Sequence, residues 1–331
     1  MKEQESDMKG ERIMSINRGK KICVVGAGKV GATVAYTLAV GGICSEVMLI
    51  DVNKDRAKGE AMDIFHGVSF AQPVKVYSGD YEAAKDSDII VITAGFGRKP
   101  GQTRIDLAQD NIDVTKSYIS DLTKYAPNAI YVVVSNPVDI VTQTILTCTN
   151  LRREQVIGSG TILDTARLRS RLATHLKVNP QSIHAYVLGE HGDTAVIPWS
   201  LTSVAGMNMM DYCATLNDKA LYAPETLKEI EDDVRTGGAQ VIKLKGATFY
   251  AISMCVKRIC DCVLRDMHTV LTASSMMEGQ YGIHDVCISL PYIIGAKGIE
   301  RCVVPSMLKE EEEKLHHSAN TLKRIVSELK I

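Results

Sequence analysis

A glycine-rich turn constrains the fold of this chain more than any other feature of its sequence. Gly26, Gly28 and Gly31 form the pattern G-x-G-x-x-G directly after the apolar run at residues 22–25, and a helical pattern follows. In such a strand–turn–helix unit the first glycine allows the tight turn, the second lets backbone amides approach a pyrophosphate, and the third lets the helix pack on the sheet. The pattern therefore predicts a dinucleotide-binding turn.

An acidic residue after the next apolar run indicates which dinucleotide binds. Asp51 lies twenty residues after Gly31, where a carboxylate accepts hydrogen bonds from the adenosine ribose hydroxyls. That carboxylate would repel a 2′-phosphate, and the nearest arginine is five residues further on, at Arg56. We therefore expect NAD rather than NADP as the cofactor, with Val30 at the start of the helix also in contact with it.

The first half of the chain alternates short apolar runs with helical patterns. The runs cover residues 22–25, 47–50, 89–93, 130–135 and 156–158. Continuous apolar strands separated by helices are typical of a parallel sheet covered on both faces. We expect an α/β fold with a Rossmann doubly wound parallel sheet.

The pattern changes beyond about residue 160. Long amphipathic segments occupy residues 224–244 and 309–329, with a strand-like run at 286–290 between them. This change predicts a C-terminal α+β substrate domain. We place the NAD-binding Rossmann domain at residues 20–160 and the substrate domain at residues 161–331.

Composition narrows the classes of partner. The chain has 38 basic and 39 acidic residues, which is not the basic surplus expected of a protein that binds nucleic acid or anionic membranes. We expect a small-molecule partner, no nucleic acid and no membrane. Nine cysteines occur without a C-x-x-C pair, which fits a reducing, cytoplasmic location. The polar residues 1–19 predict a disordered N-terminal extension.

A histidine between glycines is the first candidate for chemistry. His191 lies in the segment Gly-Glu-His-Gly-Asp-Thr at residues 189–194, and a pKa near neutrality lets an imidazole exchange a proton with a carbonyl or an alcohol. Asp164 could orient the ring, and Arg167, three residues later on the same helix face, could bind a carboxylate. Taken alone, an ordinary helix ion pair and a structural histidine are the simpler interpretations.

Two cations lie on one Gly/Pro-rich segment. Arg98 and Arg104 follow the apolar run at residues 88–93, in the sequence Gly-Arg-Lys-Pro-Gly-Gln-Thr-Arg. Such a segment suits a mobile loop that closes over an anionic small molecule. The alternative is a solvated surface loop.

Five separated motifs, in order, resemble the lactate/malate dehydrogenase family over residues 20 to about 329. They are the glycine turn, the arginine loop, Ser-Asn-Pro-Val at 135–138, Leu-Asp-Thr-Ala-Arg at 163–167 and Gly-Glu-His-Gly-Asp at 189–193. The resemblance implies hydride transfer between NAD and a 2-hydroxy acid.

The resemblance also implies roles for individual residues. His191 would exchange the proton while Asp164 holds it, Arg104 would polarise the carbonyl, and Arg167 would bind the substrate carboxylate. Two further groups are implied at the site. The substrate pocket would include Asn136 and Thr248, and the cofactor would also contact Gly95 and Asn136.

Arg98 bears on the choice of substrate. Malate dehydrogenases carry arginine at the matching position, six residues before the loop arginine, whereas lactate dehydrogenases usually carry glutamine. Closing the loop over pyruvate would bury the Arg98 guanidinium unpaired, at a cost of about 2 to 5 kcal/mol. We therefore expect a malate dehydrogenase on a lactate-dehydrogenase-like scaffold.

Three alternatives remain open at this point. Thr248 and the segments 158–161 and 245–250 resemble the lactate branch, which favours an L-lactate dehydrogenase. A non-catalytic NAD-binding protein and a general 2-oxo-acid reductase are the others. The resemblance further implies a homotetramer or dimer. Arg169 and His184 match positions that bind fructose 1,6-bisphosphate in bacterial lactate dehydrogenases, so they form a candidate allosteric anion site or a relic of one.

Overall fold

The computed structural model describes residues 19–97 and 101–331. All but the last residue of the expected N-terminal extension therefore lies outside the described part of the chain, and so does Arg98. The described strands, in chain order, are β1 (Lys21–Val25), β2 (Glu46–Ile50), β3 (Lys75–Ser78), β4 (Ile89–Ile92), β5 (Ile130–Val133), β6 (Val156–Gly158), β7 (Ile183–His184), β8 (Ser203–Val204), β9 (Met207–Asn208), β10 (Thr269–Glu278), β11 (His284–Gly295) and β12 (Gly298–Cys302).

Helices separate most of these strands. The described α-helices are α1 (Lys29–Gly41), α2 (Lys54–Gly67), α3 (Arg104–Tyr125), α4 (Val138–Cys148), α5 (Ile162–Leu176), α6 (Met209–Thr215), α7 (Pro224–Lys245), α8 (Tyr250–Leu264) and α9 (Lys309–Ser327). Local sequence sets several of their ends. Thr103 and Asp106 form a capping box that begins α3, and Gly42 adopts a left-handed conformation, with φ 59°, that ends α1.

A nine-stranded sheet forms the centre of the molecule, in the order β12-β11-β10-β6-β5-β4-β1-β2-β3. Strands β1 to β6 are parallel. The sheet is covered on both faces, because successive residues of β1 enter different buried clusters: Ile22 and Val24 pack on one face, and Cys23 and Val25 on the other. The predicted α/β fold with a doubly wound parallel sheet is confirmed.

The C-terminal half adds three antiparallel strands to the same sheet. β10 pairs with β6 at Ser274 and Gly158, and β11 and β12 follow it outwards. The strand-like run at residues 286–290 is the middle of β11. Sequence analysis did not identify β10, because its sequence Thr-Val-Leu-Thr-Ala-Ser-Ser-Met-Met-Glu has no clear apolar run or alternation.

A smaller body of structure packs beside α5. β7, β8 and β9 form a separate three-stranded sheet. Buried side chains of α5 and α7, including Leu168, Leu172 and Ile230, share a third apolar cluster with this sheet. Within the described ranges, no helix is both long and apolar enough to cross a membrane.

The close packing of the glycine turn on α1 can be tested by adding one methyl group. In Gly31→Ala the new Cβ would lie 1.8 Å from the carbonyl oxygen of Gly26 and 2.6 Å from Oγ1 of Thr93. We expect the free energy of unfolding, measured by chemical denaturation, to fall by about 1 to 3 kcal/mol, the usual cost of overpacking.

The matched control is Gly59→Ala in α2, where an added Cβ meets nothing within 4 Å. That variant should be as stable as the parent or more stable by up to about 1 kcal/mol, since alanine has a higher helix propensity than glycine. Equal stability of the Gly31 variant and the parent protein would contradict the packing argument.

Candidate active site

The glycine turn places an open space in front of a helix N-terminus. Gly26 has a φ of 98°, and Gly28 is the N-cap of α1. A Cβ at Gly28 would meet nothing within 4 Å, which leaves room for a group to approach the backbone amides there. Because a helix N-terminus favours anions, this arrangement fits the pyrophosphate of NAD.

The carboxylate of Asp51 lies beside this turn. Its Oδ2 accepts a hydrogen bond from the amide of Ala27 at 2.7 Å, and its Oδ1 accepts one from the amide of Asn53 at 2.8 Å. These bonds fix the carboxylate at the end of β2, where it can receive the adenosine ribose hydroxyls. Asp51 and the glycine turn therefore fit the adenosine half of NAD.

Asn111 joins the two segments expected to contact the rest of the cofactor. Its Nδ2 donates to the carbonyl oxygens of Asn136, at 2.7 Å, and Phe96, at 3.1 Å, and its Oδ1 accepts from the amide of Phe96 at 2.7 Å. A Cβ on Gly95 would lie 2.9 Å from that Oδ1. A cis peptide bond links Asn136 to Pro137. The side chain of Asn111, on α3, thus holds the segment of Gly95 and Phe96 close to Asn136.

A cavity of about 320 Å³ brings many of the predicted catalytic, substrate and cofactor residues together. Those on its wall are Val30, Asn136, Asp164, Arg167, His191 and Thr248. The cavity lies between the carboxyl ends of the parallel strands and the helices α5, α7 and α8. This is the edge of the sheet where open α/β folds bind ligands.

His191, Asp164 and Arg167 form one hydrogen-bonded group on this wall. The Nδ1 of His191 lies 2.5 Å from Oδ2 of Asp164, and Arg167 donates to the other carboxylate oxygen at 2.7 Å. Since an ionised carboxylate only accepts hydrogen bonds, Nδ1 carries a proton and Nε2 is the ring nitrogen left for a ligand. Arg167 is three residues from Asp164 and so shares its face of α5.

The charges of this group reinforce one another. Burial alone would raise the pKa of Asp164, but the charges of His191 and Arg167 and their hydrogen bonds outweigh it and lower that pKa. Burial alone would lower the pKa of His191, but the charge and hydrogen bond of Asp164, with a contribution from Asp139, raise it. The imidazole is therefore poised to hold a proton next to an ionised carboxylate.

Arg104 is the first residue of α3 and points at the histidine segment. Its guanidinium donates to Oδ2 of Asp193 at 2.6 Å, and both side chains are more than half exposed. Asp193 itself lines the cavity. Arg104 is thus next to the predicted site and paired with an acidic residue of the histidine segment. Arg98, the proposed reader of the substrate side chain, lies outside the described residues.

The candidate anion site is separate from this cavity. Arg169 lies on α5 and donates to the carbonyl oxygen of Ala185 at 3.2 Å, and its guanidinium carbon lies 5.9 Å from the centre of the Tyr186 ring. Burial lowers the pKa of Arg169. It lines a second cavity, together with Arg258 among others, while His184 is an exposed residue of β7.

Sequence analysis missed two acidic residues that contact the site. Asp193 was part of a quoted motif, but its pairing with Arg104 depends on how two distant segments meet. Asp139 is buried, and one of its oxygens accepts from the main-chain amide of His191. An acidic residue in the first turn of an otherwise apolar helix was the signal that could have identified it.

Comparison with known proteins assigns the family. Residues 20–158 match the model described as "lactate/malate dehydrogenase, NAD binding domain", and residues 161–330 match "lactate/malate dehydrogenase, alpha/beta C-terminal domain". The chain belongs to the lactate/malate dehydrogenase family. It is an NAD-dependent oxidoreductase that acts on 2-hydroxy acids, which removes the non-catalytic alternative.

Individual relatives cover nearly the whole chain. "L-lactate dehydrogenase 1" of Clostridium acetobutylicum is 46% identical over 309 residues, which are 93% of this chain and 98% of that protein. "L-lactate dehydrogenase" of Acetivibrio thermocellus is also 46% identical, over 314 residues, 94% of this chain and 98% of that protein. A crystal structure of a minor L-lactate dehydrogenase from Enterococcus mundtii superposes with a TM-score of 0.90 at 35% identity, covering 94% of this chain and 99% of that one.

These relatives overturn the expectation of a malate dehydrogenase. The expectation depended on Arg98 becoming buried and unpaired when pyruvate binds, but a long arginine side chain can keep its charged head in water. The charges of the described site also disfavour the binding of a second substrate carboxylate. Arg104, Arg167 and Arg235 each pair with an aspartate, and Glu231 adds a further carboxylate to the cavity wall. The prediction from Arg98 is wrong.

The role of Asp164 can be tested through the pH dependence of turnover. In Asp164→Asn the charge that raises the pKa of His191 is lost, so that pKa should fall. Reduction of a 2-oxo acid needs the protonated imidazole, so kcat/KM should begin to decline at a lower pH than in the parent enzyme. We expect kcat/KM at neutral pH to fall by about 100-fold or more, the usual contribution of general acid–base catalysis.

The control is Asp233→Asn, which removes the carboxylate of a largely exposed aspartate–arginine pair with Arg171. Its pH profile should match that of the parent enzyme. An Asp164→Asn enzyme whose profile is not displaced would show that Asp164 does not set the protonation of His191.

Proposed function

We propose that the chain is an NAD-dependent L-lactate dehydrogenase that interconverts pyruvate and L-lactate. The observation that carries this proposal is the group formed by His191, Asp164 and Arg167 on the wall of one cavity. This group offers a proton donor and a carboxylate-binding cation side by side. The names of the relatives favour lactate among the 2-hydroxy acids.

The histidine and the aspartate carry the proton chemistry. When bound, NADH supplies the hydride that reduces the C2 carbonyl of pyruvate. His191 gives the proton on Nε2 to the carbonyl oxygen, and Asp164 stabilises the imidazolium before transfer and fixes the ring afterwards. In the reverse direction the neutral imidazole takes the proton from the hydroxyl of lactate.

Two arginines handle the negative charge of the substrate. Arg167 binds the C1 carboxylate, for which the planar guanidinium provides paired donors. Arg104 polarises the carbonyl after it leaves Asp193, and exclusion of water from the closed site strengthens these interactions. Asn136 and Thr248 complete the pocket. The methyl group of pyruvate needs no charged partner, and Arg235, another arginine of the cavity wall, already pairs with Asp232.

We also propose that copies of this chain associate as a dimer or tetramer. Large apolar side chains that a lone chain would expose to water lie on α1, α2 and α8. The most exposed of them include Tyr36, Val40, Met62, Phe65 and Met254, with 49 to 68% of each accessible. Clustered exposed apolar side chains typically mark an interface.

An anionic effector is proposed for the second cavity. Arg169, Arg258 and Ser170 line this cavity, so two cations and a hydroxyl face one space. Such a set suits a sugar bisphosphate, and fructose 1,6-bisphosphate is the ligand that the family resemblance favours. His184 would join the site from β7 if a neighbouring copy bridges the two regions.

A reducing, cytoplasmic location is proposed from the thiols. All nine cysteines are free in the structure, and the only exposed one is Cys148. Proteins of oxidising compartments usually pair their cysteines.

The substrate proposal is tested by kcat/KM with NADH for pyruvate, oxaloacetate, and branched and aromatic 2-oxo acids, measured side by side. We expect kcat/KM for pyruvate to exceed kcat/KM for oxaloacetate by about 100-fold, which corresponds to about 2.7 kcal/mol of transition-state binding. The reason is that a second carboxylate would meet Glu231, whereas the arginines of the described site, Arg104, Arg167 and Arg235, already pair with aspartates.

Arg167→Lys keeps the charge but loses the paired donors, and its kcat/KM for pyruvate should fall by at least about tenfold. If the enzyme prefers oxaloacetate or a bulky 2-oxo acid, the product assigned to it would change from lactate to the corresponding 2-hydroxy acid. Absence of turnover with every 2-oxo acid would refute the proposal.

The assembly and effector proposals share one experiment. We expect light scattering to give the mass of a dimer or tetramer, and micromolar to millimolar fructose 1,6-bisphosphate to lower the KM for pyruvate. Arg169→Gln should abolish the response to the bisphosphate without changing activity in its absence. A monomeric mass would contradict self-association, and an unresponsive parent enzyme would contradict the effector site.

A further inference from the structure

A buried carboxylate lies directly behind the histidine segment. Asp139 is the second residue of α4 and only 3% exposed. Its neighbours in the first turn, Val138 and Ile140, are apolar residues of the core. A buried charge is costly unless hydrogen bonds compensate it, so its two partners are informative.

Those partners come from two other parts of the fold. The Oδ1 of Asp139 accepts from the hydroxyl of Ser274, on β10, at 2.5 Å. Its Oδ2 accepts from the main-chain amide of His191 at 2.8 Å. One carboxylate therefore connects α4, β10 and the segment that carries the histidine.

His191 is consequently held by two carboxylates at different points. Asp164 binds the ring through Nδ1, and Asp139 binds the main chain of the same residue. The ring bond sets the tautomer, whereas the main-chain bond sets where the Cα of His191 lies relative to the sheet. Both are needed to fix the direction in which Nε2 points.

We propose that Asp139 is a positioning residue for the lactate dehydrogenase reaction: held by Ser274, its carboxylate anchors the main chain of His191 and places a second negative charge behind the imidazole. The proposal rests on the proposed function for its role in turnover. It assigns Asp139 no contact with substrate or cofactor.

The charged and titratable groups around Asp139 determine when it is ionised. The pKa of Asp139 is raised to about 6, because burial, with a contribution from the charge of Glu190, outweighs the hydrogen bonds from Ser274 and His191 and the charge of His191, which lower it. On the β11 side the neighbouring group is the thiol of Cys287, whose pKa is raised by its own burial and by Asp139. The carboxylate is thus charged at neutral pH and becomes protonated as the pH falls through about 6.

A merely structural carboxylate would behave differently from a positioning one. Loss of a structural contact lowers the stability of the fold but leaves the protonation of His191 unchanged. Loss of Asp139 as proposed removes a charge that raises the pKa of His191. The pKa of the imidazole therefore separates the two roles.

The test variant is Asp139→Asn, which keeps the size of the side chain and an oxygen for the amide of His191. We expect the pKa of His191, followed by NMR titration of the imidazole, to fall, and kcat/KM for pyruvate at pH 7 to fall by about tenfold or more. The alkaline decline in kcat/KM should move to lower pH together with the imidazole pKa.

The matched control is Thr144→Val on the same helix. Thr144 is fully buried, and its hydroxyl donates to the carbonyl oxygen of Ile140, so the change also removes a buried polar group from α4. This variant should lose stability while keeping the parent kcat/KM and the parent pKa of His191.

Ser274→Ala provides a second test of the proposal if Asp139→Asn does not fold. It keeps the carboxylate but removes a donor that lowers the pKa of Asp139, so this pKa should rise. The imidazole pKa of His191 should therefore fall in this variant too, because a larger fraction of Asp139 is protonated in the pH range where the imidazole titrates. An unchanged pKa of His191 in Ser274→Ala would overturn the proposal, as would an Asp139→Asn enzyme with the parent pKa of His191 and kcat/KM within twofold of the parent value.

Failure of the proposed function is distinguishable from failure of this inference. The NMR titration of His191 needs no substrate, so it reports on Asp139 even if pyruvate is not reduced. If the parent enzyme prefers another 2-oxo acid, the pH profiles are measured with that substrate and the expected shifts are the same.

Discussion

The site depends on the hydrogen bond between Asp164 and His191, because it joins two segments that the fold must deliver separately. Asp164 comes from the first turn of α5, and His191 comes from a segment after β7 that is anchored to α4 through Asp139. Neither helix could move by an ångström without lengthening one of these bonds. The large parallel sheet supplies the rigidity, since α4 follows β5 and α5 follows β6, two strands that pair directly.

Much of this arrangement was predictable from short-range patterns. The glycine turn, Asp51 and the alternation of apolar runs with helices gave the parallel sheet, because each depends on residues close together in sequence. The pairing of Asp164 with Arg167 followed from helix periodicity. Strand β10 was not predictable, since its serines and threonines are buried by neighbours that only the folded chain provides.

The substrate was the point at which sequence reasoning failed. Arg98 was assigned a direction and a degree of burial from its position alone, and both depend on neighbours that a motif does not contain. The partner of Arg104 was equally invisible in the sequence, because Asp193 lies 89 residues away along the chain. Charge specificity is a property of the whole cavity wall, so one cation is a poor guide to it.

The pairing of β6 with β10 has a mechanical consequence. Because strands from both halves of the chain share one hydrogen-bonded sheet, the boundary between them is no hinge. Any change of shape that accompanies a catalytic cycle must be accommodated by helices and connecting segments at the rim while the sheet remains fixed. The sheet therefore acts as a fixed frame shared by the cofactor and substrate regions, and the parts that can move relative to it are the helices and loops around it.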